Sequence, residues 1–243
     1  MVGQGSNTEV PEGLAASRAE PSIFIVIPAF NEAAVIERVV EAVRSRFPRT
    51  VVVDDGSTDD TALAARRAGA TVVSHLINRG QGAALRTGFE YVLTRGADVI
   101  VTFDADGQHQ VEDIAALVAP ITERGFDVVL GSRFMAAGSQ VPMGRKIVLK
   151  CAVWFTRLAS QIRVTDAHSG LRAMSRRAAE CIRIRQDGMA HASEILDEIV
   201  RHRLQFCEVP VRVLYTPYSQ QKGQSSLAAF RIALDFLLGK WRN

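Results

Sequence analysis

The sequence predicts an α/β fold in which a mostly parallel sheet is flanked by helices. Apolar segments of strand length alternate with segments of helical periodicity throughout residues 23–131, and this alternation is typical of doubly wound sheets. Three predicted strands end in polar clusters, formed by Asn31 and Glu32, by Asp54 and Asp55, and by Asp104 and Asp106. Because the carboxyl ends of parallel strands meet at one edge of a sheet, we expect these clusters to form one site.

Length and composition are consistent with one globular domain and a small appendage. The chain has 243 residues, of which 47% are hydrophobic and 23% charged, and its formal net charge is +3. So mild a charge indicates no nucleic-acid partner. The three cysteines are too widely spaced for a metal-ligand pair or a disulfide framework, so a reducing compartment is expected. No apolar run of about 18 residues occurs, so no transmembrane helix is predicted.

The first predicted strand covers residues 23–27, whose continuous apolar character is expected for a strand buried on both faces. Pro28 is expected to end this strand, because proline cannot donate a backbone hydrogen bond. Asn31 is a candidate cap for the helix that follows. That helix is predicted from apolar residues at helical spacing, namely Ile36, Val39, Val40, Val43 and Phe47.

The second predicted strand covers residues 51–53 and is followed by Asp54 and Asp55. Ser57 and Asp60 resemble a capping box, so the next helix is predicted to begin at Ser57. Capping explains Ser57 and Asp60, but it does not explain the two aspartates that follow the strand. They are therefore candidates for a site at the sheet edge.

The remaining elements follow the same alternation. The glycine-rich turn at residues 78–82 lacks the Gly-Lys-Ser/Thr ending of a Walker loop, so tight turning and close helix packing are its expected roles. The patterns predict a helix up to Gly69, a strand over residues 71–75, a helix from the glycine-rich turn to near Gly96, a strand over residues 99–103, a helix from Val111 and a strand over residues 127–131.

The stretch from Val99 to Ile114 carries the strongest chemical signal. Asp104 and Asp106 follow a buried strand two residues apart, so in an extended backbone both side chains project to the same side. Adjacent carboxylates repel, and a strand end tolerates them best when a cation lies between them. An EF-hand loop is excluded, because Gly107 falls at its fourth position and Ala115 at its twelfth. The residues predict a divalent-metal site for a phosphorylated substrate, with an ordinary turn as the alternative.

Six motifs occur in the order found in one enzyme family. They are Ile27-Pro28-Ala29-Phe30-Asn31-Glu32, residues 53–58, residues 78–88, residues 103–108, Gly131-Ser132-Arg133-Phe134, and Asp166-Ala167-His168-Ser169-Gly170-Leu171-Arg172. The ordered set resembles the family 2 glycosyltransferases with the GT-A fold. It is most similar to the branch typified by dolichyl-phosphate mannose synthase and the bacterial polyprenyl-phosphate sugar transferases. The resemblance implies a Rossmann-like GT-A domain over residues 22–226, with amphipathic helices toward its C-terminal end. The polar residues 1–21 are expected to form a flexible tail, and residues 227–243 an apolar helix for membrane or partner docking.

The resemblance implies a nucleotide-sugar donor and a bound Mg²⁺ or Mn²⁺, which stabilises the negative charge that builds on the departing diphosphate. It places the metal on Asp106, with Asp104 and Gln108 nearby as further ligands. The other positions expected to bind the donor, chiefly its base and ribose, are Pro28, Phe30, Glu32, Asp54, Asp55 and Ala105. Carboxylates at such positions can accept hydrogen bonds from a base N–H or from ribose hydroxyls.

A second group of residues is expected to act on the phosphates and the acceptor. Arg133 suits a phosphate, because a guanidinium gives charge-assisted and often bidentate bonds, although a surface ion pair would also explain it. Asp166, Ser169 and Arg172 match family positions near the acceptor and the sugar. Asp104, Asp106, Arg133, Asp166 and Arg172 are thus the candidate catalytic residues, with a plain turn role as the alternative for Asp166.

The acceptor decides whether a general base is needed. A sugar hydroxyl is a poor nucleophile and requires a carboxylate to take its proton, whereas a lipid phosphate is already anionic. Glu194 opens a predicted helix where hydroxyl-directed relatives have their base, and a first-turn acid that favours the helix dipole explains it equally well. The expected reaction is inverting transfer of mannose or glucose from a GDP- or UDP-sugar to polyprenyl (dolichyl or undecaprenyl) phosphate. The rival is transfer to a hydroxyl of lipopolysaccharide, exopolysaccharide or cell-wall glycan.

The second half of the chain favours a membrane acceptor. Residues 143–162 form a candidate amphipathic helix whose basic residues and Trp154 suit an anionic membrane surface, with core packing as the alternative. Residues 227–241 are apolar on nearly all sides, which suits an interfacial helix or docking to a small membrane protein. Lys222 is the candidate replacement for loop cations of relatives, whose positions hold Gln220 and Ser226 here. We expect a peripheral protein at the cytoplasmic face of the membrane.

Two other functional classes fit less well. A nucleotidyltransferase also uses strand-end aspartates for a metal, but it needs a Gly- and Arg/Lys-rich loop after the first strand, and residues 28–32 contain no such loop. A non-catalytic nucleotide-sugar binder would share the donor-binding residues and would show donor binding without turnover on any acceptor.

Overall fold

The computed structural model describes residues 20–136, 162–167 and 169–214, which form one mixed sheet flanked by helices. The strands are β1 (Ile23–Ala29), β2 (Thr50–Asp54), β3 (Thr71–Ser74), β4 (Val99–Thr102), β5 (Val128–Ser132), β6 (Arg172–Ser175) and β7 (Phe206–Pro210). The helices are α1 (Ile36–Arg44), α2 (Thr61–Arg67), α3 (Gln81–Leu93), α4 (Asp113–Arg124), α5 (Arg176–Cys181) and α6 (His191–Arg201). Within these residues the strand order is β3-β2-β1-β4-β6-β5-β7, which confirms the predicted α/β architecture.

Several expectations fall on other parts of the chain. Lys222 and the predicted helix over residues 227–243 lie outside the described residues. The predicted tail up to residue 19 also lies outside them. Of the candidate helix over residues 143–162, only the last residue is described. No helix in the described part is long and apolar enough to cross a bilayer.

The core lies on both faces of the central strand β1. Successive strand residues face opposite sides of a sheet, so Val26 packs with α3 on one face while Ile25 and Ile27 pack with α1 on the other. All three side chains are fully buried. This two-sided burial accounts for the continuous apolar run in the sequence.

Strand β6 is antiparallel to both of its neighbours, and this direction positions part of the site. Its first residue, Arg172, lies opposite Thr102 of β4 and Leu130 of β5. Because β6 runs against these strands, it begins near the point where they end. Arg172 therefore lies at the same sheet edge as the residues that follow the parallel strands.

Pro28 does not end the first strand, so that prediction is wrong. Strand β1 continues to Ala29, and Pro28 pairs in register with Val53 of β2. The carbonyl of Val26 accepts a hydrogen bond from the N–H of Phe103, on the side of β4. Residues two apart along a strand face the same way, so the nitrogen of Pro28 faces the side of β4 just after that strand ends at Thr102, and the pairing of β1 with β2 on its other side continues.

The two predicted helix caps are also wrong. Helix α1 begins at Ile36 and α2 at Thr61, and neither has a side-chain cap bond. Instead, the hydroxyl of Ser57 accepts a hydrogen bond from the N–H of Asn31 at 2.9 Å. The side-chain oxygen of Asn31 in turn accepts from the N–H of Thr58 at 2.9 Å. These side chains join the loops after β1 and β2, because the two strands are neighbours.

Candidate active site

The carboxyl edge of the sheet gathers the residues predicted to hold the metal and the phosphates. Asp104 and Asp106 follow β4, Arg133 follows β5, and Arg172 opens β6. The charges of both arginines act on the carboxyl group of Asp104, which in turn acts on that of Asp106. The edge therefore combines a pair of carboxylates with two buried guanidinium groups.

Both oxygens of Asp104 are held by the protein. Oδ1 accepts a hydrogen bond from the Gln81 side-chain amide at 3.2 Å, and Oδ2 lies 3.1 Å from Nε2 of His109. Burial alone raises the pKa of Asp104. The hydrogen bond from His109 and the charges of Arg172 and Arg133 outweigh burial and hold that pKa below its ordinary value. Asp104 is therefore a fixed carboxylate in its ionised form.

Asp106 is less constrained than Asp104, and its carboxyl group has the higher pKa of the two. Its Oδ1 accepts a hydrogen bond from the N–H of Gln108 at 3.0 Å, across a tight turn at Gly107. Burial and the neighbouring charge of Asp104 raise the pKa of Asp106 to about 6. A divalent cation between the two carboxylates would remove the repulsion that causes part of this rise.

The donor set fits a hard divalent cation that also contacts substrate. Mg²⁺ is commonly held by one or two carboxylates, with waters and substrate phosphates completing its shell. Asp104 and Asp106 supply such a pair. In the described residues no group of three or more His, Cys, Asp or Glu side chains is arranged to hold a metal. A metal here needs oxygen ligands from elsewhere, and the role of Gln108 as one of them stays a prediction.

The loop that holds the carboxylates is fixed by a distant part of the chain. The N–H of Leu214 donates to the carbonyl of Gln108 at 2.9 Å, and His109 forms a β-bridge with Val213. The N–H of Arg212 donates to the side chain of Asp113, at the start of α4, at 2.7 Å. Main-chain bonds from the segment after β7 therefore position the loop from Asp104 to His109.

Gly170 lies directly behind the carboxylate of Asp104. A Cβ atom built at Gly170 would overlap both carboxylate oxygens and the carbon between them. The carbonyl of Gly170 also accepts a hydrogen bond from the hydroxyl of Thr102 at 2.6 Å, so this segment cannot move away freely. The position requires glycine because the Asp104 carboxylate occupies the space of a side chain.

Gly170→Ala is expected to lower the sugar-transfer rate by roughly 100-fold, since a displacement of about 1 Å at a reacting centre can cost that much. The measurement is the steady-state transfer rate beside the thermal unfolding midpoint. Gly188→Ala is the matched control, because a Cβ there meets no atom within 4 Å. Wild-type activity in Gly170→Ala would contradict this assignment of Gly170.

Arg133 and Asp166 form a buried ion pair beside the carboxylates. The guanidinium Nε of Arg133 donates to Oδ2 of Asp166 at 2.6 Å, and the backbone N–H of Arg133 donates to the same oxygen at 3.2 Å. Arg133 is 7% exposed and Asp166 3% exposed, so this ion pair is buried and does not lie at the surface. The roles of the two residues toward substrate stay predictions. The pair fixes one cation at the edge where β5 ends.

Arg172 is a second buried cation, with its guanidinium bonded to the carbonyl of Ala167 at 3.3 Å. Burial lowers the pKa of Arg172 to about 10, while the charges of Asp104 and Asp166 partly oppose that change. The side chain remains cationic at neutral pH. Because Arg133 and Arg172 lie near the carboxylate pair, this part of the edge can bind phosphate oxygens as well as a metal.

The residues expected to bind base and ribose lie along the ends of β1 and β2. Phe30 is 40% exposed, whereas Glu32 is buried and near enough to Asp106 to raise its pKa. Asp54 is buried and accepts a long hydrogen bond of 3.4 Å from the N–H of Ser57. Together with Pro28 and Asp55, these residues occupy one side of the site, and their donor contacts stay predictions.

Two further expected substrate-binding residues lie close to the carboxylates. Ala105 is 5% exposed and stands between Asp104 and Asp106. Ser169 is 2% exposed, and its hydroxyl has no hydrogen-bond partner within the described ranges. A buried hydroxyl normally has a partner, so Ser169 is consistent with a residue that contacts a bound substrate.

Glu194 lies in the first turn of α6, as predicted, and supports a neighbouring loop. Its Oε2 accepts hydrogen bonds from the N–H groups of Arg185 and Gln186, at 2.9 and 2.8 Å. Burial raises the pKa of Glu194, and these two bonds partly oppose the rise. The carboxylate therefore has a clear structural role in holding the segment before α6.

Sequence reasoning missed Gln81 and His109, which hold Asp104. Gln81 lies 23 residues before Asp104, and nothing in the glycine-rich turn indicated that its side chain would reach another strand. His109 packs edge-on against Phe103 and is 7% exposed. The available signal for His109 was its position, one residue after the motif at residues 103–108 and within the stretch from Val99 to Ile114.

Comparisons with known proteins identify the family of this chain. The glycosyl transferase family 2 model matches residues 24–183. A UDP-N-acetylglucosamine–dolichyl-phosphate N-acetylglucosaminyltransferase of Methanococcus voltae is 31% identical, over 91% of this chain and 97% of that protein. An undecaprenyl-phosphate mannosyltransferase of Micrococcus luteus is 30% identical, over 82% of this chain and 86% of that protein.

The fold is shared with a solved structure of more distant sequence. Glucosyl-3-phosphoglycerate synthase of Mycobacterium tuberculosis, solved with Mg²⁺ and uridine diphosphate, superposes with a TM-score of 0.68. The match covers 89% of this chain and 79% of that one at 24% identity, and such a likeness shows a common GT-A fold. The chain therefore belongs to glycosyl transferase family 2, and it is a glycosyltransferase.

Proposed function

We propose that this chain transfers a hexose, mannose or glucose, from a GDP- or UDP-sugar to polyprenyl phosphate with inversion, using Mg²⁺ or Mn²⁺. The observation that carries the proposal is the juxtaposition of the Asp104 and Asp106 carboxylates with the buried guanidinium groups of Arg133 and Arg172. Carboxylates hold a hard cation and guanidinium groups hold phosphate oxygens. Such an edge suits a substrate whose leaving group is a nucleoside diphosphate.

The chain's own residues have distinct tasks in this reaction. The bound metal supplies Lewis-acid stabilisation of the departing diphosphate. Asp106 offers the less constrained oxygen to the metal, while Asp104 is held in place by its two hydrogen bonds. Arg133 is oriented by Asp166, so its positive charge is already fixed at the edge where the phosphates are proposed to bind.

The acceptor is proposed to be a lipid phosphate because it needs no general base. Relatives that are 30–31% identical are named for dolichyl-phosphate and undecaprenyl-phosphate acceptors. The candidate base, Glu194, already accepts two backbone hydrogen bonds on one oxygen, which favours a supporting role. Docking to the cytoplasmic face of the membrane, or to a small membrane protein, through residues 143–162 and 227–241 stays a prediction from their sequence.

Glu194→Gln is expected to retain transfer to polyprenyl phosphate near the wild-type rate, because the amide oxygen of Gln can accept the same two hydrogen bonds. The measurement compares the variant with wild type on polyprenyl phosphate and on the polyprenol of equal chain length. A general base contributes roughly 100- to 10,000-fold. A loss of that size with unchanged donor binding would contradict the lipid-phosphate proposal and support transfer to a hydroxyl.

A further inference from the structure

The carboxylate of Asp55 has three hydrogen-bond partners within the protein, which gives it a structural role. Its Oδ1 lies 2.6 Å from Nδ1 of His75 and accepts from the N–H of Arg79 at 3.0 Å. Its Oδ2 accepts from the N–H of Gly80 at 2.6 Å. Asp55 is 3% exposed, so these are buried charge-assisted bonds of the strong kind. The carboxylate at the exit of β2 thereby fixes the loop that follows β3.

His75 is oriented by contacts on both ring nitrogens. It comes directly after β3, and its side chain is 9% exposed. Because Nδ1 faces a carboxylate, we assign the proton to that nitrogen, which leaves Nε2 to accept from the hydroxyl of Thr87 at 2.9 Å. Thr87 lies on α3, so His75 joins β2 to this helix.

The fixed loop leads directly to the metal site. Gly80 is followed by Gln81, the first residue of α3, and the side-chain amide of Gln81 donates to Oδ1 of Asp104 at 3.2 Å. A Cβ at Gly80 would overlap the carbonyl of Asp187, which accepts hydrogen bonds from the N–H groups of Gly82 and Ala83 at 2.8 and 3.3 Å. The start of α3 is therefore held on two sides, by the carbonyl of Asp187 and by the loop that Asp55 fixes.

We propose that His75 is a positioning residue for the metal site. It acts through Asp55 and the loop at residues 76–80, which place Gln81 against Asp104. The connection runs from the end of β3, past β2 and β1, to the end of β4. It therefore spans the side expected to bind the base and the side expected to bind the metal. That this connection affects the binding of a nucleoside diphosphate rests on the proposed function. That it positions Asp104 does not depend on the proposed function.

A purely structural role for His75 makes a different prediction. In that case His75→Ala would lower the unfolding midpoint, while each folded molecule would bind Mn²⁺ as tightly as wild type does. A positioning role instead weakens Mn²⁺ binding in the folded molecule, because residues that orient metal ligands typically contribute 10- to 100-fold to metal affinity. The two roles are separated by measuring affinity per folded molecule.

The experiment measures Mn²⁺ affinity by electron paramagnetic resonance, with and without UDP or GDP, together with thermal unfolding. His75→Ala is expected to weaken Mn²⁺ binding by at least about tenfold. His75→Asn should recover most of that loss, since its amide nitrogen can take the place of Nδ1 and donate to Asp55. Equal affinity in His75→Ala and wild type, or no recovery in His75→Asn, would overturn the proposal.

Gln81→Ala provides a second test that does not require His75→Ala to be stable. Gln81→Ala alone should weaken Mn²⁺ binding by at least about tenfold. Where the double variant folds, adding His75→Ala should weaken it no further, because both residues act along one connection. Fully additive losses would overturn the proposal. Because the measured quantity is Mn²⁺ affinity, the two proposals can fail separately. If wild type binds Mn²⁺ but labels no polyprenyl phosphate, the proposed function is wrong and the role of His75 is still tested. If wild type binds no Mn²⁺, both proposals are wrong.

Discussion

Asp106→Asn is expected to lower sugar transfer by roughly a thousandfold, or about 4 kcal/mol of transition-state stabilisation. The substitution removes the charge of the less constrained carboxylate and keeps its shape. It also removes a buried charge and the repulsion by Asp104, the two main causes that raise the pKa of Asp106 to about 6, so the folded state should be no less stable than wild type. The measurements are single-turnover transfer and Mn²⁺ affinity.

Asp60→Asn is the matched control for this variant. Asp60 is exposed, precedes α2 and makes no side-chain cap bond, so the same chemical change there should leave transfer unaffected. If Asp106→Asn transferred sugar at the wild-type rate in the presence of Mn²⁺, the metal assignment would be wrong. A loss shared by both variants would mean that the effect is not specific to the site.

Asp166→Asn is expected to lower the free energy of unfolding by about 3–5 kcal/mol, which is the usual cost of leaving a buried charge unpaired. Arg133 is 7% exposed and Arg172 is 4% exposed, and both lose a neighbouring negative charge, while that of Asp104 remains. Urea denaturation measures this change. Glu180→Gln is the control, because the exposed Glu180–Arg176 pair should contribute less than about 1 kcal/mol.

A double variant separates stability from activity at this ion pair. Arg133→Met combined with Asp166→Leu replaces both charges by apolar groups and should regain most of the lost stability. The double variant should nevertheless be inactive, because no guanidinium group is left at position 133 to bind phosphate. An Asp166→Asn protein as stable as wild type, or an active double variant, would contradict the role given to the pair.

The sequence was most informative where periodicity and strand-end polarity coincide. The elements from β1 to β5 were predicted within a few residues, because buried parallel strands read as apolar runs and their helices as periodic ones. Because Asp104, Asp106 and Arg133 follow predicted parallel strands, the same reasoning predicted that they lie at the carboxyl edge of the sheet. His75 also follows a strand, so that rule could have identified it as well.

The errors arose where tertiary contacts override local signals. Ser57 and Asn31 are residue types that often cap helices. Here each side chain accepts a hydrogen bond from the other's loop, because the two loops follow neighbouring strands. Strand β6 has only four residues and no alternating pattern, and its place between β4 and β5 cannot be inferred from local sequence. The antiparallel direction of β6 brings Arg172 to the site. From the sequence, only the family resemblance predicted that placement.

The most direct test of the proposed reaction is transfer of labelled hexose from a panel of GDP- and UDP-sugars to a short polyprenyl phosphate. We predict label in the organic phase with one of these donors, only when Mg²⁺ or Mn²⁺ is present, and roughly a thousandfold slower labelling with Asp106→Asn. Label that enters the organic phase equally well in excess EDTA would contradict metal-dependent transfer. Donor turnover that never labels the lipid phosphate, even with membranes added, would contradict the acceptor.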